Sequence, residues 1–253
     1  MNHRKEDWLQ EIAGLILDIQ RVSDKQPIGK MYFGPVVWSL FRYQVNLAGQ
    51  ILCALKHQGL DYIAVLGAGA LYEACISQIW IMLGNEQERD ERAKAYWEYQ
   101  NMALFDYYKV GRLSKEDMLK KARKHLSIFI RKNRKLSEDE VLNPKNYYNA
   151  WYECFDKKWY QLEEDVAAGD LEVEATFKSN YAVYCQYKHG DPIRVIPENP
   201  ILGKIENKNR DWMLASIMTL GLLAYSAQKM NDFFFHSDVM FWDRLQKFVP
   251  TDS

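Results

Sequence analysis

Apolar residues recur three and four positions apart along nearly the whole chain, and alternating β-branched runs are hard to find. That pattern predicts an all-α protein, a single multi-helix bundle with long apolar central helices. Trp8, Ile12, Leu15, Ile16 and Ile19 form the first stripe, and the stretch 25–34, with Pro27 and Gly29, interrupts it. Pro35 suits the first turn of the next helix, where a missing N–H costs nothing. That helix runs through Val36, Leu40, Val45, Leu52 and Leu55 and stops near Gly59. The helix expected over 61–83 is the most apolar of all, and Gly84-Asn85 closes it as a C-cap. A fourth helix, 86–110, opens on Glu86, Glu88, Asp90 and Glu91, which suit the positive end of its dipole. Ser114 with Asp117 three positions later marks the start of a basic helix reaching about Arg134.

Beyond a polar break at 137–144 come an aromatic-rich stretch, 147–167, and a helix expected over 171–188. A last apolar helix, 211–231, precedes a short terminal one near 241–248. Between them, 189–209 carries Gly190, Pro192, Pro197, Pro200 and Gly203, too many breakers for a helix. Irregular connections of that length are places to look for a lid or a partner-binding segment. No shift in composition marks a second domain. One domain, 1–253, is expected, with a bundle core over about 36–235 and 1–34 as an N-terminal helix and linker.

The stretch 63–83 holds one charge, Glu73, and meets the length of a bilayer span. A carboxylate at mid-span costs about 2.5–3.5 kcal/mol on insertion scales, and the 16 residues of 212–227 are too short to partner it, so a core helix and no membrane are expected. At 48% apolar, 26% charged and 14% aromatic the chain can build a sizeable core. Its 33 Lys and Arg against 34 Asp and Glu exclude global capture of nucleic acid or anionic membrane but allow a local patch. Cys53, Cys75, Cys154 and Cys185 stand 22, 79 and 31 positions apart in apolar or aromatic surroundings, as reduced core cysteines would. With a charged Met1 to Trp8 and no apolar run behind it to read as a signal peptide, a cytoplasmic protein is expected.

None of His3, His57, His125, His189 and His236 has an acidic residue three positions before it, and paired-histidine zinc motifs are missing, so no metal and no cofactor are expected. Gly67-Ala68-Gly69-Ala70 lacks the Lys-Ser/Thr of a phosphate loop and reads as small residues that let a neighbouring helix approach. Two sets of residues carry more. The run 112–135 holds ten cations (among them Lys120, Lys121, Arg123, Lys124, Arg131 and Arg134) against Glu116 and Asp117, opposite an apolar stripe of Met118, Leu119, Ala122, Leu126, Phe129 and Ile130. It can bind phosphate, or be a solvated face balanced by the acids of 137–140 and of Glu163-Glu164-Asp165. Glu73, in an otherwise uncharged helix, must be paired, hydrogen-bonded or protonated. Tyr181, Tyr184 and Lys188 share a helix face with His189 at its end, so Glu73, Tyr184 and His189 form a candidate acid–base set.

Leu71-Tyr72-Glu73-Ala74, Arg92-Ala93 with Tyr96 and Tyr99, and Tyr181-x-x-Tyr184 leading to His189-Gly190 resemble a family of prokaryotic all-helical proteins of unknown function. The likeness covers about 61–191, and the Arg that commonly precedes the family's Glu is absent, Gly69 and Ala70 standing near that point. It implies a helical bundle and no particular activity. More loosely, the chain resembles the higher-eukaryote-and-prokaryote nucleotide-binding bundles (HEPN), whose toxin and antiphage-defence members cleave RNA with an Arg and a His separated by four to six residues. No histidine here has that Arg. The leading expectation is therefore an accessory module binding a protein or RNA through the basic helix 112–135, the loop 189–209 and the aromatic region 147–160, with a homodimer also expected. The alternative is a metal-independent ribonuclease or phosphodiesterase using His189, with Lys188 or Arg194 on the phosphate.

Overall fold

The computed structural model describes residues 2–23, 32–57, 60–126, 129, 136–170, 174, 177–178, 185 and 210–245. It is all-α: helices and short 3₁₀ turns, with no strand among the described residues. In order the α-helices are α1 Asn2–Val22, α2 Phe33–Lys56, α3 Asp61–Met82, α4 Glu86–Tyr99, α5 Leu104–Lys109, α6 Lys115–His125, α7 Glu138–Val141, α8 Trp159–Ala167 and α9 Arg210–Met230. They fall into two compact units, one made of Met1–Pro27, Trp38–Trp80 and Glu163–Ser253, the other of Ile28–Val37 and Ile81–Leu162.

In the first unit α1 packs along α9 through Trp8, Ile12, Leu15 and Ile19, the stripe that the periodicity outlines, all buried. Burying four such side chains contributes about 1.5–3 kcal/mol each. Lys5 pairs with Asp61 at 3.3 Å, and Arg244 clamps the C-terminal 3₁₀ turn, Trp242–Leu245, onto α1 through Glu11 (2.9 Å) and Asp18. The helix α9 does not stop at a cap. It widens into a π-helical turn, Asn231–Phe235, and ends on His236 at φ +49°. Asn231 holds that turn by donating to the carbonyls of Ser237 and Val239 and accepting from the Ser237 N–H.

α3 is long and apolar enough to cross a membrane by length and composition, yet 78% of that window is buried inside the fold, as in a core helix. The small residues do what their size allows: a Cβ on Gly67 would stand 2.8 Å from Ile51 Cγ1 of α2, so α2 and α3 approach at that point. The cysteines are free, but only Cys75 is a core residue. Cys53 is exposed, because it falls on the outer stripe of α2 with Arg42, Tyr43, Asn46 and Gln50.

In the second unit the helix ends follow local chemistry. Gly84 takes φ +84° after α3, the left-handed value at which glycine is unstrained. Arg89 and Arg92 donate to the carbonyls of Met82 and Leu83 at the end of α3, each at 2.9 Å. Asn85 and Glu88 form a capping box on α4. Asp90 of α4 accepts from the N–H groups of Tyr32 and Phe33 (2.9 and 3.1 Å), which caps α2 from a distant segment. Pro35 lies in the first turn of α2.

Two boundaries differ from expectation. The helix expected over 86–110 is interrupted by a 3₁₀ turn, Gln100–Ala103, with Asn101 donating to the Glu98 carbonyl. The basic helix ends at His125, where Leu126 leaves helical geometry at φ −122° and ψ 6°, rather than near Arg134. Aromatic rings fill the unit: Tyr96 on Trp151 (5.3 Å between centroids), Tyr99 on Phe129 (5.8 Å) and Phe105 on Tyr147 (5.0 Å).

Candidate functional site

Of the candidate acid–base set, the structure places Glu73. Tyr184 and His189 lie outside the described residues, as do Tyr181, Lys188, Arg194 and the loop 189–209. Glu73 is partly exposed, on a stripe of α3 shared with Ile63, Leu66, Gly67 and Ala70, at i, i+3, i+4, i+7 and i+10. Tyr72 and Gln78, deeply buried, lie on other faces of α3, and Trp80, one heptad after Glu73, is buried where that stripe passes into the core. Tyr72, fully buried, donates its hydroxyl to Glu163 Oε1 at 2.5 Å, and Glu163 is itself 2% exposed. Gln78 Oε1 accepts from Gln44 Nε2 of α2 at 2.5 Å and from Ser226 Oγ of α9 at 3.0 Å. Trp80 Nε1 donates to Asp165 Oδ2 at 2.8 Å, and Tyr225 to the Val166 carbonyl at 3.3 Å. This layer joins α2, α3, α8 and α9 by hydrogen bonds. Such a layer fixes which helix faces meet, because a misregistered packing would bury these groups unpaired.

Thiol chemistry has no support in the second unit. Burial pushes the Cys154 thiol up to about 12, with Glu153 and Glu98 adding repulsion against its backbone hydrogen bond, so it stays protonated near neutrality. Burial likewise raises the Tyr147 phenol to about 12, where its hydroxyl donates to the Val141 carbonyl at 2.9 Å. Among the described residues no three His, Cys, Asp or Glu side chains come together to hold a metal ion.

The basic segment is the other candidate. Ser114 caps α6 by accepting from the Asp117 N–H at 3.1 Å and donating to the Asp117 carboxylate at 2.7 Å. Met118, Leu119 and Ala122 are buried and seat the helix, and α6 packs on α5 and α7. The helix therefore presents its opposite face, with Lys120, Lys121, Arg123 and Lys124 all exposed. Lys120, Arg123 and Lys124, at i, i+3 and i+4, line an open depression of about 500 Å³ together with Glu116, Leu119 and Glu138. Arg131 and Arg134 lie outside the described residues.

No match was found among protein-family models, curated proteins or solved structures. What the site does must therefore follow from its own chemistry.

Lys115, the first cation of α6, is 3.9 Å from Glu138 and 3.4 Å from Asp139 of α7. Among the described residues no ion pair involves Lys120, Lys121, Arg123 or Lys124. Position explains the division. The carboxylates Glu116 and Asp117 stand in the first turn of α6 and Arg123, Lys124 and His125 in the last, the order the helix dipole favours. α7 brings its acids to the N-terminal half. The acids of 137–140, expected from the sequence to balance the basic face, do so at Lys115, and the capping box of Ser137 and Glu140 holds α7 in place.

Proposed function

We propose that the chain is an accessory module that binds the phosphate backbone of RNA through α6. The observation that carries this reading is the set of four exposed cations, Lys120, Lys121, Arg123 and Lys124, without an ion pair among the described residues, on a helix seated by buried Met118, Leu119 and Ala122. A seated helix loses little entropy when it meets a ligand, and guanidinium and ammonium groups without partners exchange water and counterions for phosphate oxygens. The binding is electrostatic and largely indifferent to sequence, since phosphate contacts position a strand without reading its bases. A cytoplasmic location belongs to the same proposal, supported by the free cysteines and by a buried α3.

Four phosphate contacts on a single strand give a slope of log K against log[salt] of about −3, hence a loss of roughly 50-fold between 50 and 200 mM salt. The test is retention of a labelled single-stranded RNA by wild type and by K120E/R123E/K124E, with melting curves to establish that both fold. The slope should collapse toward zero in the triple variant. An unchanged slope removes α6 as the contact surface.

A further inference from the structure

The described charges of α6 and α7 cancel: Lys115, Lys120, Lys121, Arg123 and Lys124 stand against Glu116, Asp117, Glu138, Asp139 and Glu140. Not all of these acids are equivalent. Asp117 is engaged by Ser114 at the cap of α6, and Glu140 by the Ser137 N–H and hydroxyl at 2.9 and 3.0 Å. Glu138 and Asp139 have no capping duty. They reach across to Lys115, at 3.9 and 3.4 Å, and Glu138 also lines the depression that holds Lys120, Arg123 and Lys124.

From this placement, and resting on the phosphate reading of α6, we infer that α7 is a tethered counter-anion: Glu138 and Asp139 compete with phosphate for the α6 cations and thereby set the affinity of the site. A carboxylate fixed beside a cation has a high effective concentration and occupies the cation between encounters. A ligand phosphate must displace it, which withholds Lys115 and weakens the field over Lys120, Arg123 and Lys124. The device makes the site selective for high charge density, because a ligand with few phosphates does not outcompete two carboxylates held on the protein.

The test compares four proteins on one labelled single-stranded RNA across a salt series: wild type, K120E/R123E/K124E, E138Q/D139N, and E6Q/D7N. The last changes net charge by the same amount at exposed positions of α1 in the other unit. The capping box rests on Ser137 and Glu140, so E138Q/D139N retains α7, and its melting temperature should fall by no more than the several °C that two exposed ion pairs supply. We expect E138Q/D139N to bind about 2- to 30-fold tighter at 100 mM salt, the range two exposed ion pairs span. Its slope should steepen by about 0.7, the share of one released lysine. E6Q/D7N should match wild type. Equal tightening in E138Q/D139N and E6Q/D7N, or none in E138Q/D139N while the triple reversal still abolishes binding, overturns the counter-anion and leaves the phosphate reading standing. No salt-dependent retention by either wild type or E138Q/D139N overturns both.

Discussion

Two glycines in neighbouring helices should respond to the same substitution with opposite signs. Gly49 lies within α2 and Gly67 within α3. A methyl group on Gly49 meets nothing within 4 Å, whereas one on Gly67 would sit 2.8 Å from Ile51 Cγ1 and 3.4 Å from its Cδ1. Gly49→Ala therefore adds only the backbone gain of alanine over glycine in a helix, about 0.5–1 kcal/mol. At position 67 the same gain is opposed by overpacking against Ile51, which is 2% exposed. Overpacking costs about 1–3 kcal/mol, so Gly67→Ala should be net destabilising by about 0.5–2 kcal/mol. At 2–4 °C per kcal/mol for a chain of this size, the melting temperature should rise by about 1–4 °C in the first variant and fall by about 1–8 °C in the second. Thermal unfolding followed by circular dichroism reads both. Ile51→Ala removes the obstructing atom, so adding Gly67→Ala to it should cost less than Gly67→Ala alone. If Gly67→Ala raises the melting temperature as Gly49→Ala does, α2 and α3 are not in the close contact described.

The polar layer and the buried acid of α4 give two further expectations. Tyr72→Phe and Glu163→Leu should each destabilise the protein, and their double-mutant cycle in urea should return a coupling of about 0.5–1.5 kcal/mol, the net value of an intramolecular hydrogen bond; additivity would refute the pair. Glu98 is buried with Lys94 at 3.8 Å, and desolvation raises its pKa despite the lysine. A carboxyl raised in the folded state contributes stability that is fully present below the unfolded pKa and is lost as pH rises through the folded one. Glu98→Gln should therefore be more stable than wild type at pH 7, and that advantage should shrink in melts toward pH 4; a pH-independent difference would refute it.

Much of the helical order was legible because its punctuation is chemical. Ser114-x-x-Asp117, Gly84-Asn85 and Pro35 each act within one turn, and each stands at the boundary or in the first turn expected. The break at Gln100–Ala103 was not legible, since all its residues tolerate helical geometry and no Gly or Pro marks it. The end of α6 at His125 has the same explanation: Leu126 is not a breaker, and the basic composition continues past it. On α3 the single charge drew attention to Glu73, but a helix turns 100° per residue. Tyr72, one position earlier, faces inward with Ile76 and Ile79, while Glu73 belongs to the partly exposed stripe. At α6 the cations were readable one by one. The acids of 137–140 were readable as their balance, but which cation they meet was not, because Glu138 and Asp139 reach Lys115 from 23 and 24 positions away.

Among the described residues the hydrogen bonds that close the first unit are also the longest in sequence: Gln78 waits for Ser226, 148 positions later, and Glu11 for Arg244, 233 positions later. Among the described residues the second unit's bonds span at most 58 positions, from Tyr32 to Asp90. On a ribosome adding 5–20 residues per second, Gln78 emerges roughly 7–30 s before its partner exists. During synthesis, then, α6 and its surroundings should be assembled while the hydrophobic faces of α2 and α3 still await α9, and that interval is when a chaperone would find this chain.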